Sequence, residues 1–90
     1  MAFLTFTSAL KRFFPSLKNH KIEAAELEKV FEELNQEYPG IKDYLLNDHS
    51  NIREHINVYI NEVPLASKEI SNQTIESDTR IHISQAISGG

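Results

Sequence analysis

Few side chains in this sequence are of a type and spacing to do chemistry. There is no cysteine, which excludes disulfides, thiolate metal sites and a cysteine nucleophile together. The four histidines, His20, His49, His55 and His82, lack metal-ligand spacing such as HExxH and read as surface or strand residues. The only glycines are Gly40, Gly89 and Gly90, so no phosphate-cradling loop is present. Six glutamates (Glu23, Glu26, Glu28, Glu32, Glu33 and Glu37) crowd residues 23–37 against a single Lys29. Helical phase puts them on a solvated face, a poor place for paired acid/base work.

What remains is the pair Gly89-Gly90 directly after an apolar strand. Glycine has no Cβ and reaches backbone angles closed to other residues. A Gly-Gly tail can lie extended, thread a narrow cleft and bring its carboxylate to a nucleotide phosphate with no side chain in the way. A carboxylate is a poor acyl donor until it is activated, for example as an acyl-adenylate. An incidental flexible end would carry the same two residues, so the body that holds the tail decides the reading.

That body reads as follows. Residues 2–7 alternate as a strand, with Ala2, Leu4 and Phe6 on one face. Ser8 to Pro15 reads as a turn region with apolar anchors Leu10, Phe13 and Phe14, and His20-Lys21-Ile22 as the return strand of a hairpin. Leu27, Val30, Phe31, Leu34 and Tyr38 recur at helical spacing, predicting an amphipathic helix from about Ala25 to Tyr38 that Pro39-Gly40 ends. Ile41, Tyr44 and Leu45 suggest a short helical turn, and 47–51 a polar loop. His55 to Asn61 alternates cleanly, with Ile56, Val58 and Ile60 inward, before a turn at Asn61-Glu62. Leu65 and Ile70 read as core contacts, Ser77-Asp78-Thr79 as a turn, and Arg80 to Ile87 as the last strand, with Ile81 and Ile83 facing in.

One amphipathic helix must cover one face of a sheet, and the first and last strands can pair in parallel across the intervening chain. The expected fold is α+β: a β-grasp, ubiquitin-like, with a mixed sheet of four or five strands under one main helix. Residues 1–90 form a single domain with a flexible Gly-Gly tail. Alternation leaves Phe3, Tyr59 and His82 on the sheet face opposite the core. Together with Ile87 and Ser88 they form a candidate partner-docking patch.

Composition narrows the class. The 90 residues carry a net charge of −4, against a general nucleic-acid binder. Residues 1–22 hold Lys11, Arg12, Lys18 and Lys21 and no acid, but their apolar residues alternate as a strand rather than as a targeting peptide. No apolar run approaches the roughly 18 residues of a membrane span. The lack of cysteine favours a reducing, cytoplasmic setting.

The sequence resembles the MoaD/ThiS family of small sulfur carriers along nearly its whole length. The residues that carry the resemblance are Leu34 with Tyr38-Pro39-Gly40, His55-Ile56-Asn57-Val58-Tyr59-Ile60-Asn61, Arg80-Ile81-His82-Ile83 and Ala86-Ile87-Ser88-Gly89-Gly90. The resemblance implies a carrier rather than an enzyme, with no bound cofactor and no metal. A ubiquitin-activating-type enzyme would adenylate the Gly90 carboxylate with ATP. A sulfur donor would convert it to a thiocarboxylate, and a synthase would accept the sulfur for molybdopterin, thiamin, cysteine or thioacid biosynthesis. Three departures stand out: Asn61-Glu62 where the family has Asn-Gly, Glu76-Ser77-Asp78 where it has Asp-Gly-Asp, and Gln85 where a proline is common. They predict turns of a different type. Two other readings keep the same fold: a ubiquitin-like modifier conjugated through Gly90, and a non-catalytic β-grasp interaction module.

Overall fold

The computed structural model describes residues 1–86. Five strands form one mixed sheet: β1 (Ala2–Phe6), β2 (His20–Ile22), β3 (Ile56–Ile60), β4 (Val63–Pro64) and β5 (Arg80–Gln85). Three helices accompany them: α1 (Ser8–Phe13), α2 (Leu27–Glu37) and α3 (Ile41–Leu45). The sheet order is β2-β1-β5-β3-β4. β1 and β5 pair in parallel, with Leu4 opposite Ile81 and Phe6 opposite Ile83, and every other pairing is antiparallel. This is the expected β-grasp arrangement, with the first and last strands side by side at the centre.

The core follows the two periodicities. Leu27, Val30, Phe31 and Leu34 of α2 are buried against Ala2, Leu4, Phe6, Ile56, Val58, Ile81 and Ile83 of the sheet. Ile60 is half-buried at the margin of this core. Leu10, Leu17, Ile41, Leu45, Leu46, Ile52, Ile70 and Ile75 extend it to the edges of the sheet.

Several local readings are corrected. Ser8–Phe13 is a helix, not a turn region. Thr7 stands at its N-cap but makes no side-chain cap bond; its hydroxyl instead accepts the Gln85 N–H at 3.3 Å. The start of α2 lies two residues later than periodicity suggests, because Glu26 is held extended, bridged to Thr74. The Ile75 N–H donates to the Ala25 carbonyl and the Leu27 N–H to the Gln73 carbonyl. The helix ends at Glu37, and Gly40 at φ 97° makes the reversal into α3. The Asn35 side-chain oxygen accepts the N–H groups of both Gly40 and Lys42, fixing that reversal. Glu33 is half-buried rather than solvated, with one carboxylate oxygen enclosed and unpartnered among the described residues.

The predicted change of turn type does not occur between β3 and β4. Asn61 and Glu62 both take positive φ, 50° and 73°, as a type I′ two-residue hairpin requires. The turn keeps its geometry, and Glu62 occupies a conformation that glycine would adopt freely.

Candidate sheet face and tail root

Strand pairing assembles the candidate face. On β1, Phe3 and Thr5 point away from α2. On β5, Arg80, His82 and Ser84 do the same, as does Tyr59 on β3. The register sets Thr5 beside His82 and Tyr59 beside His82, so the three form a row across the central strands. Thr5 Oγ1 and His82 Nδ1 share a hydrogen bond of 2.6 Å, and the Tyr59 and His82 rings lie 6.0 Å apart. Phe3, 40% exposed, stands at the margin. Arg80, opposite Phe3 in the register, closes the same end with Glu62 through an exposed ion pair at 3.7 Å.

Phe3, Tyr59 and His82, predicted from alternation, therefore do share one groove. Thr5, Glu62, Arg80 and Ser84 line it too and were missed. Thr5 and Ser84 keep the outward phase of Phe3 and His82, so the signal was present in the strand period. Which outward residues adjoin depends on register, and that is set between strands far apart in sequence. The face mixes the aromatic rings of Phe3 and Tyr59 with the polar side chains of Thr5, His82 and Ser84, a composition suited to docking a protein surface.

A second place matters because β5 leads into the tail. Gln85 donates its N–H to Thr7 Oγ1 and accepts the Tyr44 hydroxyl on its side-chain oxygen at 2.7 Å. The Ala86 N–H donates to the His55 carbonyl at 2.8 Å. A proline at 85 would have no N–H for Thr7; glutamine makes two bonds there instead. The chain is thus tied to the body up to Ala86. Ile87, Ser88, Gly89 and Gly90, the remaining predicted site residues, lie outside the described residues.

The other histidines are dispersed: His20 lies near Glu37 at 3.8 Å, His49 sits in the 47–51 loop, and His55 flanks the tail root. Among the described residues no group of three or more His, Asp or Glu side chains is placed to hold a metal ion. No helix among them is long and apolar enough to cross a membrane.

Comparison with solved structures places the architecture. A chain in the crystal structure of the Amycolatopsis orientalis BexX/CysO complex superposes with a TM-score of 0.80, covering 100% of both chains at 18% identity. The fold is ubiquitin-like. Mycobacterium tuberculosis CysO matches with a TM-score of 0.79 at 18% identity, over 97% of this chain and 100% of that one. SAMP1 from Haloferax volcanii matches with a TM-score of 0.75 at 17% identity, over 99% of this chain and 98% of that one. No protein-family model and no curated protein sequence matches the chain. The ubiquitin-like fold is therefore shared with CysO and SAMP1 from end to end, while most residues on it differ.

Proposed function

We propose that this protein is a sulfur carrier of the MoaD/ThiS type, working through the carboxylate of Gly90 and supplying no catalytic side chain. The observation that carries the reading is the end-to-end match to CysO. It is joined to a central strand, β5, that leads straight towards Gly89-Gly90.

In this reading the Gly90 carboxylate attacks the α-phosphorus of ATP in a partner's nucleotide site, and pyrophosphate leaves. Sulfur from a donor then attacks the acyl carbon and AMP leaves. With a persulfide donor, a thiol reduces the resulting acyl disulfide to the thiocarboxylate. The partner is a ubiquitin-activating-type adenylating enzyme, and ATP is its cosubstrate rather than a resident cofactor of the carrier. A sulfur-accepting synthase takes the sulfur afterwards. The groove of Phe3, Thr5, Tyr59 and His82 docks the adenylating enzyme, as its central position beside β5 suits. The ties at Gln85 and Ala86 fix the point from which the tail departs.

The test mixes the protein with the adenylating enzyme of its own genome, ATP and a sulfide or persulfide donor, then weighs the intact product. The expected result is the mass change for one oxygen replaced by sulfur. Deleting Gly90, or Gly89→Trp, should abolish it, while Glu32→Gln leaves it unchanged. An isopeptide adduct to lysines in place of the thiocarboxylate would assign the modifier role instead. Binding to the enzyme without adenylate or thiocarboxylate would leave only an interaction module. The modifier reading has an observation in its favour: a further structure from H. volcanii, of small archaeal modifier protein 1, matches at 15% identity and a TM-score of 0.70.

A further inference from the structure

Charge differs between the two ends of β1 and β5: acids and cations, Lys21 and Arg80 among them, mix where the strands begin, and cations predominate where β5 ends. Where these two strands begin, Glu23, Glu76 and Asp78 gather. Ala25 and Asp78 are bonded to Ile75 and Met1 there, and Glu23 lines the same hollow as Met1 and Ser77. Where β5 ends, Arg12, from the last turn of α1, lines a groove with Phe13, His55, Gln85 and Ala86. His55 continues into a second hollow lined by Arg53 and Lys68. Lys68 is fixed at this pole by its bond to the Ile56 carbonyl, and Arg53 by its bond to the Asp43 carbonyl. Glu54, Asp43 and Glu69, which bridges to Asn51 of the same hollow, are the acids close by. Among the described residues, none of Arg12, Arg53 and Lys68 takes part in an ion pair.

An apolar anchor stands in the same place. Phe13 is 59% exposed, yet its ring is held 5.4 Å from Tyr44, which Phe14 and His55 brace edge-on. The Tyr44 hydroxyl is itself bonded to Gln85. A large exposed aromatic ring, backed by packed rings and rimmed by unpaired cations, is a fixed surface rather than a stray side chain.

We propose that this tail-root shelf is a second docking surface, separate from the sheet face, for a partner-protein segment that carries carboxylates around an apolar residue. Carboxylates would meet Arg12, Arg53 and Lys68, and the apolar residue would cover Phe13. Against a net charge of −4, a cluster of cations at this end favours an acidic partner here, so the shelf also biases the orientation of the encounter. The identity of that partner as the adenylating enzyme rests on the carrier reading; the chemistry of the surface does not.

Two arms keep the failures apart. In the first, the isotope-labelled protein is titrated with a short Asp/Glu peptide bearing one central phenylalanine, and with its lysine counterpart. Amide shifts should cluster at Arg12, Phe13, His55, Gln85 and Ala86 for the acidic peptide only. Arg12→Glu and Phe13→Ala, each checked for native circular dichroism, should each weaken binding about tenfold, and Lys21→Glu by less than twofold. Shifts confined to the sheet face, no shifts at all, or Arg12→Glu binding like the parent would overturn the proposal. In the second arm, association with the adenylating enzyme should fall with salt for the parent. It should be about tenfold slower and less salt-sensitive for Arg12→Glu. Equal rates and salt slopes would remove this enzyme as the occupant. A parent protein that never gains sulfur would sink the carrier reading while leaving the first arm intact.

Discussion

Glu62 is the residue at which sequence and backbone disagree most plainly. A φ of 73° places its Cβ against the following carbonyl, at a cost of roughly 1–2 kcal/mol. In return the side chain reaches Arg80 at 3.7 Å, but both groups are exposed, and such pairs contribute little. The turn survives because Asn61 holds it: the Asn61 N–H donates to the Arg80 carbonyl, and the Asn61 side-chain oxygen accepts the Arg80 N–H, both at 2.8 Å. Glu62→Gly should therefore stabilise the protein by about 0.5–1 kcal/mol in urea unfolding, after glycine's own entropy and the lost ion pair are subtracted. Equal or lower stability would mean that the hairpin does not use this turn. The residue types alone showed that Asn61-Glu62 begins a turn. They did not show that the turn keeps its shape at glutamate's expense, because that follows from the pairing of Ile60 with Val63.

Among the elements, α2 was legible and α1 was not, for one physical reason. The eleven residues of α2 repeat their apolar stripe for three turns, so period alone identifies the helix and its buried face. The six residues of α1 bury Leu10 alone, too short a run for a period to show. Moreover, Thr7, the natural cap, uses its hydroxyl oxygen to accept the Gln85 N–H instead. The helix there is set by tertiary contact rather than by local signal. The same distinction governs stability. Phe31 is fully buried between the helix and the sheet, and Phe31→Ala should cost about 3–5 kcal/mol by leaving a cavity in a small core. Phe13→Ala, at an exposed ring, should cost far less. Chemical unfolding of the two variants compares them directly; a Phe31→Ala protein as stable as the parent would refute the packing described.

For the molecule as a whole, the inward residues of β1, β3 and β5 were legible, but β4 and the neighbours across the sheet were not. The alternation of residues 2–6, 56–60 and 80–85 marks which side faces α2. It carries no information on the register that sets Thr5, His82 and Tyr59 in one row. That register joins residues at opposite ends of the chain, and the candidate docking face exists only through it. The topology makes a prediction of its own. β5 lies at the centre, paired on both sides, whereas β2 and β4 are edges. Closing the β1–β5 pairing fixes nearly the whole chain, so the amides of Ile81 and Ile83 should open only with global unfolding. Lys21 lies opposite Phe3, whose N–H is directed the other way, to the Thr79 carbonyl at 2.8 Å. Lys21 therefore turns its own N–H out to solvent, as the alternating pairs of an antiparallel ladder require. Native-state hydrogen exchange should find Lys21 unprotected and Ile81 and Ile83 protected to the full unfolding free energy. Fast exchange at Ile83 would mean that β5 opens locally. The strand leading to Gly89-Gly90 would then be a flexible lead rather than a rigid mount, and the geometry of both docking surfaces would not be fixed before a partner binds.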